Sequence, residues 1–291
     1  MIKEFMQINN LLIEKLKNEP FLIVAHRGTA LGNIIENTIP SLVAACQSGA
    51  DIVEIDVVQS TDGQFYLFHD GNESRLLGEK RNIKQLSSGE IETLHYYNSI
   101  RHKINYQVEK LEELLKYVGG TDYLINIDRS WAYWDRLLPY LDSFNLENQI
   151  LLKSPVKDLY LQQLEEHPTK YMYFPIVKSL EDLEIIREFK NVNIVGVEII
   201  AENQDSPFFQ DELIESLRNE YHFVFANAIR LDDKEVLFGE LDDDLSILKG
   251  PKYGWKQIVD KGCNVLQTDW TSLLDQYRQK ERKALSRING K

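Results

Sequence analysis

Short apolar segments of strand length alternate with longer segments of helical periodicity along the chain. Strands are predicted at Phe21–Ala25, Ile52–Val58, Tyr123–Ile127, Ile150–Leu152, Tyr171–Phe174, Ile194–Ile200, His222–Ala226 and Val265–Gln267. Helices are predicted between them at Thr38–Gln47, Leu111–Val118, Trp134–Phe144, Val156–Glu165, Leu180–Phe189, Phe209–Arg218, Trp255–Lys261 and Leu273–Leu285. This alternation is typical of βα units around a parallel sheet. The eight units favour an α/β fold with a single (β/α)₈ TIM barrel, although a doubly wound sheet has the same local pattern.

Two segments are longer than a barrel connection requires and predict small insertions after strands 2 and 7. In the first, Thr61-Asp62-Gly63 predicts a turn and Phe65–Phe68 a short returning strand. The second runs from Asn227 to Trp255. No linker rich in Pro, Gly or Ser divides the chain. We therefore expect residues 1–291 to form one domain, with an amphipathic N-terminal helix over residues 1–20.

Charge and composition exclude several classes of function. The net charge of −13 argues against nucleic acid as a partner, because binding to nucleic acid depends on Lys and Arg that neutralise phosphates. Cys46 and Cys263 are far apart, so neither a disulfide framework nor a zinc site is indicated. No apolar run approaches the roughly 18 residues of a membrane-spanning helix. We expect a cytoplasmic protein without stable membrane insertion, and the sequence indicates no oligomeric state.

Two acidic residues share one face of the second strand. In Ile52–Val57 the side chains alternate, so Glu54 and Asp56 project opposite to the β-branched residues between them. In a barrel the acidic face is the interior. Adjacent buried carboxylates repel each other, so a bound divalent ion or a basic partner is expected. An exposed edge strand is the alternative, but the fully apolar opposite face favours packing.

Histidines follow two of the predicted strands. His26 and Arg27 stand at the end of the first strand, and His69-Asp70 follows the short strand of the hairpin. The carboxyl ends of barrel strands form the face where active sites of such barrels lie. Histidine can transfer protons near neutral pH, and the arginine fork matches phosphate oxygens. Together with Glu54 and Asp56, these residues predict an acid/base pair, a phosphate-binding arginine and a metal site.

These motifs resemble the signature of glycerophosphodiester phosphodiesterases, which are TIM barrels related to phospholipase C-like phosphodiesterases. The specific part of the resemblance consists of His26-Arg27-Gly28, Glu36-Asn37-Thr38, Glu54-Ile55-Asp56, Thr61-Asp62-Gly63 and His69-Asp70. Weaker similarity follows at Leu111-Glu112-Glu113-Leu114, Ile125-Asn126-Ile127-Asp128 and Gln267-Thr268-Asp269. The resemblance thus extends over nearly the whole predicted barrel.

The resemblance implies metal-dependent hydrolysis of a small-molecule glycerophosphodiester to glycerol phosphate and an alcohol. The cofactor would be a divalent ion, Mg²⁺ or Ca²⁺, bound by Glu54, Asp56 and Asp128. His26 and His69 would be the acid/base pair. Arg27 would hold a phosphate oxygen. A lyase or phosphotransferase of the phospholipase D toxin type on the same scaffold, or a binding protein with impaired catalysis, are the alternatives.

Two departures from the family pattern concern the third barrel strand. Asp128 stands where the family usually has Glu, and Ser130 stands where the family has Lys. A cation near the phosphate is therefore missing. Strand alternation predicts that Arg129 points away from the site, whereas Lys153 at the end of the next strand can reach into it. We therefore expect Lys153 to contact the substrate.

The second insertion predicts contacts to the alcohol group of the substrate. It contains Asp242-Asp243-Asp244, and Trp255 follows it. Carboxylates accept hydrogen bonds from hydroxyls, and an indole face stacks on a sugar ring or a cation. A solvated acidic loop that caps a helix has the same sequence.

Overall fold

The computed structural model describes residues 3–231 and 235–289, with side chains over residues 5–231 and 235–283. Eight parallel strands there close into a barrel, because the first strand pairs with both the second and the last. In chain order the strands are β1 (Leu22–Ala25), β2 (Ile52–Gln59), β3 (Phe65–Leu67), β4 (Leu124–Asp128), β5 (Ile150–Pro155), β6 (Met172–Val177), β7 (Gly196–Ile199), β8 (Phe223–Asn227) and β9 (Val265–Thr268). Of these, β3 alone lies outside the barrel and pairs antiparallel with β2. The predicted TIM barrel is confirmed.

Helices cover the barrel between successive strands. The outer helices are α3 (Ile39–Gln47), α6 (Leu111–Val118), α7 (Trp134–Asp142), α8 (Asp158–Glu166), α9 (Leu180–Glu188), α10 (Asp211–Glu220), α12 (Trp255–Asp260) and α13 (Thr271–Asn289). Helices α1 (Lys3–Ile8) and α2 (Asn10–Asn18) precede the barrel, and the short α4 (Glu73–Leu76), α5 (Ser88–Ile91) and α11 (Asp243–Lys249) lie in its loops. Four single 3₁₀ turns complete the described helical structure, at Ile83–Gln85, Trp131–Tyr133, Pro207–Phe209 and Pro251–Tyr253. Each predicted helical segment between strands corresponds to one outer helix.

Strand alternation divides the hydrophobic core into two layers. Val53, Ile55 and Val57 of β2 pack outward against the helices, while Ile52 belongs to the cluster that fills the barrel interior. Aromatic side chains complete the interior from the opposite wall. The ring of Phe223 lies so close to Gly196 that a Cβ atom there would come within 2.3 Å of it. A glycine at this position therefore lets the large ring fit inside a narrow barrel.

The amino end of the barrel is closed by the two N-terminal helices. Ile8 and Leu12 belong to the interior cluster. The apolar face of these amphipathic helices therefore closes the amino end of the barrel. The single predicted helix is interrupted at Asn9, whose side-chain amide exchanges hydrogen bonds of 2.9 and 2.8 Å with that of Asn193. The first two residues of the predicted helix lie outside the described residues. Among the described residues, no helix is both long and apolar enough to cross a membrane.

The insertion after β2 carries its own small hydrophobic cluster at the carboxyl end of the barrel. Gly63 adopts a φ of 91° in the predicted turn, which reverses the chain so that β3 returns along β2. Residues from the loop after β1, from β2 and β3, and from the loop that follows β3 form the cluster: Ile35, Val58, Tyr66, Phe68, Leu76, Leu77, Ile83, Leu86, Ile91, Tyr96 and Val108. The returning strand ends beside Asp56, because the Phe68 amide donates to the Asp56 carbonyl at 3.1 Å. His69 is thereby brought back to the mouth of the barrel.

Candidate active site

Three carboxylates converge inside the barrel near its carboxyl end. Glu54 and Asp56 come from β2, and Asp128 ends β4, whose register sets it beside Asp56. One oxygen of each lies within 4.8 Å of one oxygen of each of the other two. Glu54 and Asp56 are almost completely buried, as strand alternation predicts. This is an oxygen-rich set of the kind that holds Mg²⁺ or Ca²⁺.

The electrostatics of this cluster favour a bound cation. Burial, together with the charges of Asp56 and Asp128, raises the pKa of Glu54 well above its usual range. A carboxyl group in this position either takes up a proton or is stabilised by positive charge. The donor set and its electrostatics therefore fit a divalent ion.

The loop after β1 holds two of the carboxylates in place. The Asn37 side chain donates to Asp56 at 2.9 Å and accepts from the Asp56 amide at 2.8 Å. The Arg27 amide donates to Glu54 at 2.7 Å, and its guanidinium lies 3.2 Å from Asp56. Both Arg27 and Asn37 have positive φ angles, 55° and 56°, which turn the loop back over the barrel mouth. The Arg27 guanidinium also donates to Glu36 at 3.0 Å, so Glu36 lies at the site and not in free solvent.

His26 is paired with an acidic residue from the last strand. Its Nδ1 lies 2.8 Å from a carboxylate oxygen of Asp269, which follows β9. The two residues meet because β1 and β9 are neighbours in the closed barrel. A carboxylate on Nδ1 fixes the orientation of the ring and leaves Nε2 for other contacts.

His69 is fixed in a similar way by a backbone group. Its Nδ1 lies 2.7 Å from the carbonyl oxygen of Asp70. Because a carbonyl only accepts, this contact places the proton of the neutral ring on Nδ1. Burial, aided by the charges of Arg27 and Arg129, lowers the pKa of His69 although Asp56 opposes this. The neutral ring, with an unprotonated Nε2, is thereby favoured near neutral pH.

A family model for the "Glycerophosphoryl diester phosphodiesterase family" matches residues 26–172, just over half of the chain. The chain belongs to this family. A second model, described as a domain of unknown function, matches residues 171–278. The family resemblance given by the sequence motifs is confirmed.

Curated relatives agree with this assignment. A glycerophosphodiester phosphodiesterase of Caldanaerobacter subterraneus is 27% identical over 140 residues, which are 46% of this chain and 57% of that protein. This chain therefore spans little more than half of the length of the curated relatives that it matches.

Two solved structures show the same fold. A glycerophosphoryl diester phosphodiesterase of Parabacteroides distasonis has a TM-score of 0.70 at 16% identity, covering 90% of this chain and 88% of its own. An Oleispira antarctica phosphodiesterase in complex with the product sn-glycerol-3-phosphate has a TM-score of 0.63 at 18% identity, covering 88% and 95%.

Lys153 reaches the carboxylates, in the direction the sequence predicts. Its Nζ lies 2.6 Å from Asp128 and 3.3 Å from Glu198, and it is almost completely buried. Burial disfavours the charged ammonium, but the charges of Asp128 and Glu198 prevail and raise the pKa of Lys153. The Lys153 side chain is therefore expected to stay protonated beside Asp128 inside the barrel.

The predicted direction of the Arg129 side chain is wrong, and the Ser130 side chain does not face the carboxylates. Arg129 has a φ of 51°, which breaks strand alternation, and its guanidinium lies 3.2 Å from Asp70, next to His69. Ser130 is fully buried and accepts a 3.1 Å hydrogen bond from the Trp134 indole, in the outer core. A side chain at position 130 thus projects away from the carboxylates, and Arg129 supplies positive charge on the His69 side.

The predicted substrate contact by Trp255 is also wrong. The indole is only 2% exposed and packs in the outer core, where its Nε1 donates to Asp243 at 2.7 Å. Asp242 caps α11 by accepting from the Leu245 amide at 2.7 Å, so the acidic run has the capping role of the alternative interpretation. Asp244 is the one exposed member of the run. The sequence left both interpretations open, because an acidic run that contacts a substrate and one that caps a helix have the same composition.

Asp243 is buried and linked to the site through the turn after β9. It accepts from the Thr268 hydroxyl at 2.8 Å and from the Asp269 amide at 2.9 Å. Burial nevertheless raises the pKa of Asp243 to about 7. Sequence reasoning missed both Asp243 and the pairing of Asp269 with His26. The signal available for Asp269 was the Thr-Asp motif at the last strand.

Proposed function

We propose that this chain hydrolyses glycerophosphodiesters to glycerol phosphate and an alcohol, using a divalent metal ion and two histidines. The observation that carries the proposal is the meeting of a carboxylate triad, Arg27 and two ring-fixed histidines at the carboxyl end of one barrel. Family membership supports the same reaction. The complex of the Oleispira antarctica phosphodiesterase with its product supports a small phosphodiester as substrate.

Glu54, Asp56 and Asp128 are the proposed ligands of the ion, with Mg²⁺ or Ca²⁺ as candidates. Such an ion, when bound, polarises phosphoryl oxygens as a Lewis acid and offsets developing negative charge. Asn37 keeps the Asp56 carboxylate oriented in this proposal, since it binds both its side chain and its amide. Lys153 would share the charge of Asp128 with the ion.

Arg27 is the proposed phosphate-binding residue of the chain. Glu36 and Asp56 orient its guanidinium, which has five N–H donors and can also hold an oxyanion. The phosphoryl oxygens carry the negative charge of the transition state as the nucleophile attacks. A fixed guanidinium in a barrel mouth stabilises that charge without reorganising during the reaction.

The two histidines are proposed to transfer the protons. Each ring has its Nδ1 occupied, His26 by Asp269 and His69 by the Asp70 carbonyl, so Nε2 is the nitrogen that acts. One histidine removes a proton from the nucleophile, which is water or the glycerol hydroxyl next to the phosphate. The other donates a proton to the departing alkoxide.

The proposal is tested with metal-free protein and a panel of glycerophosphodiesters carrying choline, inositol or glycerol. Mg²⁺, Ca²⁺ or Mn²⁺ is added back, and products are followed by phosphorus NMR. Metal-dependent formation of glycerol phosphate supports hydrolysis. A cyclic phosphate as the final product supports the phospholipase D-like alternative instead, and no turnover with any ion contradicts the proposal.

A further inference from the structure

A groove of about 480 Å³ leads outward from the candidate active site. It runs between the loop after β1 and the turn that begins α13. Its inner end is formed by His26, Arg27 and Asp269. Apolar side chains line its outer part, namely Ala30, Leu31, Trp270 and Leu273. A molecule in this groove would therefore have one end at the reacting groups and the other against hydrocarbon.

The apolar walls of the groove are exposed to solvent. Leu31 is 79% exposed and Trp270 is 51% exposed. All four tryptophans of the chain lie among the described residues, and Trp270 is the exposed one, since Trp134 and Trp255 are buried and Trp131 is half-buried. Clustered exposed apolar side chains in a concave surface are typical of a binding site.

Hydrogen bonds hold both walls of the groove. The Trp270 amide donates to the Thr268 hydroxyl at 2.9 Å, and the Leu273 amide donates to the Trp270 carbonyl at 2.9 Å. On the other side, the Ile34 amide donates to the Leu31 carbonyl at 3.1 Å, which closes a tight turn. The groove is thus preformed, which reduces the entropic cost of binding.

We infer that this groove binds a hydrocarbon substituent of the phosphodiester whose phosphate lies at His26 and Arg27. The inference rests on the proposed function and specifies its substrate class, an amphipathic phosphodiester with one apolar chain. The groove matches such a ligand, because Arg27 at its inner end can bind the phosphate, and Leu31 and Trp270 at its outer end can contact the apolar chain. The net charge of −13 disfavours an anionic membrane surface as the occupant.

The test measures kcat/KM for glycerophosphodiesters of ethanol, butanol and hexanol, as monomers and with saturating Mg²⁺. Full burial of one methylene corresponds to about a fourfold gain, so we expect roughly two- to fourfold per methylene in the wild type. A second arm places a short acyl chain on the glycerol of glycerophosphocholine. A rise of kcat/KM with chain length in the first arm would show that the groove binds the alcohol group. A rise of kcat/KM on acylation in the second arm would show that the groove binds a chain on the glycerol.

Variants separate the groove from a general effect of hydrophobic substrates. Trp270→Ser and Leu31→Ser should each reduce the dependence of kcat/KM on chain length. The dependence is measured as the ratio of kcat/KM for the hexyl diester to that for the ethyl diester within one variant. A loss of activity that affects all substrates equally cancels in this ratio. Leu159→Ser, on the exposed face of α8, should keep the wild-type ratio. Leu31 is so exposed that its variant has little effect on folding.

The inference is overturned if the active wild type shows no chain-length dependence in either arm, or if both groove variants keep it. Binding of the wild type to neutral lipid vesicles, lost in Trp270→Ser without any chain-length effect, would assign the surface to a membrane and also overturn it. Failure of the proposed function is a different result, because the ethyl ester would then not be hydrolysed at all.

Discussion

The two halves of the barrel mouth present their polar groups in different ways. In the early half, β1, β2, β3 and β4 carry functional residues as neighbours in sequence, such as His26-Arg27 and His69-Asp70. In the late half, β5 to β9 contribute single residues, and each has its partner on another strand. Lys153 of β5 pairs with Asp128 of the neighbouring strand β4, and Asp269 pairs with His26 at a separation of 243 residues.

This difference indicates a division of roles between the halves. The early half supplies the groups proposed to contact metal, phosphate and protons, and the family model covers it from the residue that follows β1 onwards. The late half orients those groups and forms the aromatic wall, with Phe174 and Phe225 at 5.9 and 5.7 Å from the Lys153 ammonium. Substitutions should therefore reduce activity strongly in the early half and moderately in the late half.

The largest effect is expected at the carboxylate triad. Asp56→Asn should lower kcat/KM by about 10³-fold or more, because a bound ion stabilises the transition state by several kcal/mol. The rise of the melting temperature on addition of metal to purged protein should disappear in the same variant, since only an intact site binds the ion. Asp244→Asn, at an exposed acid of the late half, is the control and should keep both properties. Full activity of the purged wild type would contradict a metal-dependent reaction.

The next effect concerns the two histidines. His26→Ala and His69→Ala should each lower kcat by about 10²-fold or more, the lower range for loss of a general acid or base. Steady-state kinetics on the best diester measures this, with circular dichroism to verify folding. His102→Ala, at an exposed histidine of the insertion after β2, is the matched control. Near wild-type turnover of either folded active-site variant would remove that histidine from the mechanism.

A smaller effect is expected for the orienting partner of His26. Asp269→Asn should lower kcat by no more than His26→Ala does, because an orienting partner acts only through the ring that it fixes and stabilises. A double-mutant cycle with His26→Ala distinguishes this role from a general structural one. If Asp269 acts through His26, its substitution should have little effect in the His26→Ala background. Independent, multiplicative losses would show that Asp269 has another function.

The last effect concerns stability, with no change of activity predicted, and involves the buried carboxyl of Asp243. Because its pKa in the folded protein is raised to about 7, the folded state keeps a proton that the unfolded chain releases above about pH 4. Stability from this group is therefore lost as pH rises from about 4 to about 7, by at most about 1.4 kcal/mol per pH unit.

Urea unfolding of the wild type and Asp243→Asn at several pH values measures this linkage. Asparagine does not titrate, so the stability advantage of the wild type should shrink as pH rises through that window. An advantage that grows with pH would show that the three hydrogen-bond donors outweigh burial and keep Asp243 ionised.

The sequence was informative wherever local periodicity or a short motif determined the structure. Apolar runs of strand length predicted the barrel strands, and alternation along β2 predicted the inward carboxylates. The hairpin followed from Thr61-Asp62-Gly63, because a turn residue with positive φ strongly favours glycine.

Features that depend on tertiary contacts were missed or misjudged. The positive φ of Arg129 reverses the side-chain direction that alternation predicts, and no residue type in the motif signals it. Trp255 was predicted to contact the substrate, but it is buried. Its burial depends on the hydrogen bond to Asp243 and on packing between the barrel and its outer helices, which local sequence does not show. The interruption at Asn9 depends on Asn193, which is 184 residues away. Such pairs are invisible to local patterns, since only folding brings their members together.

The most direct test of the account is a phosphorus NMR time course of glycerophosphoethanolamine with metal-loaded protein. For the wild type we expect the diester resonance to be replaced by that of glycerol phosphate. The His26→Ala/His69→Ala double variant, folded and at equal concentration, should leave the diester essentially unchanged. Formation of glycerol phosphate by the double variant at the wild-type rate, or a stable cyclic phosphate from the wild type, would contradict two-histidine hydrolysis at this site.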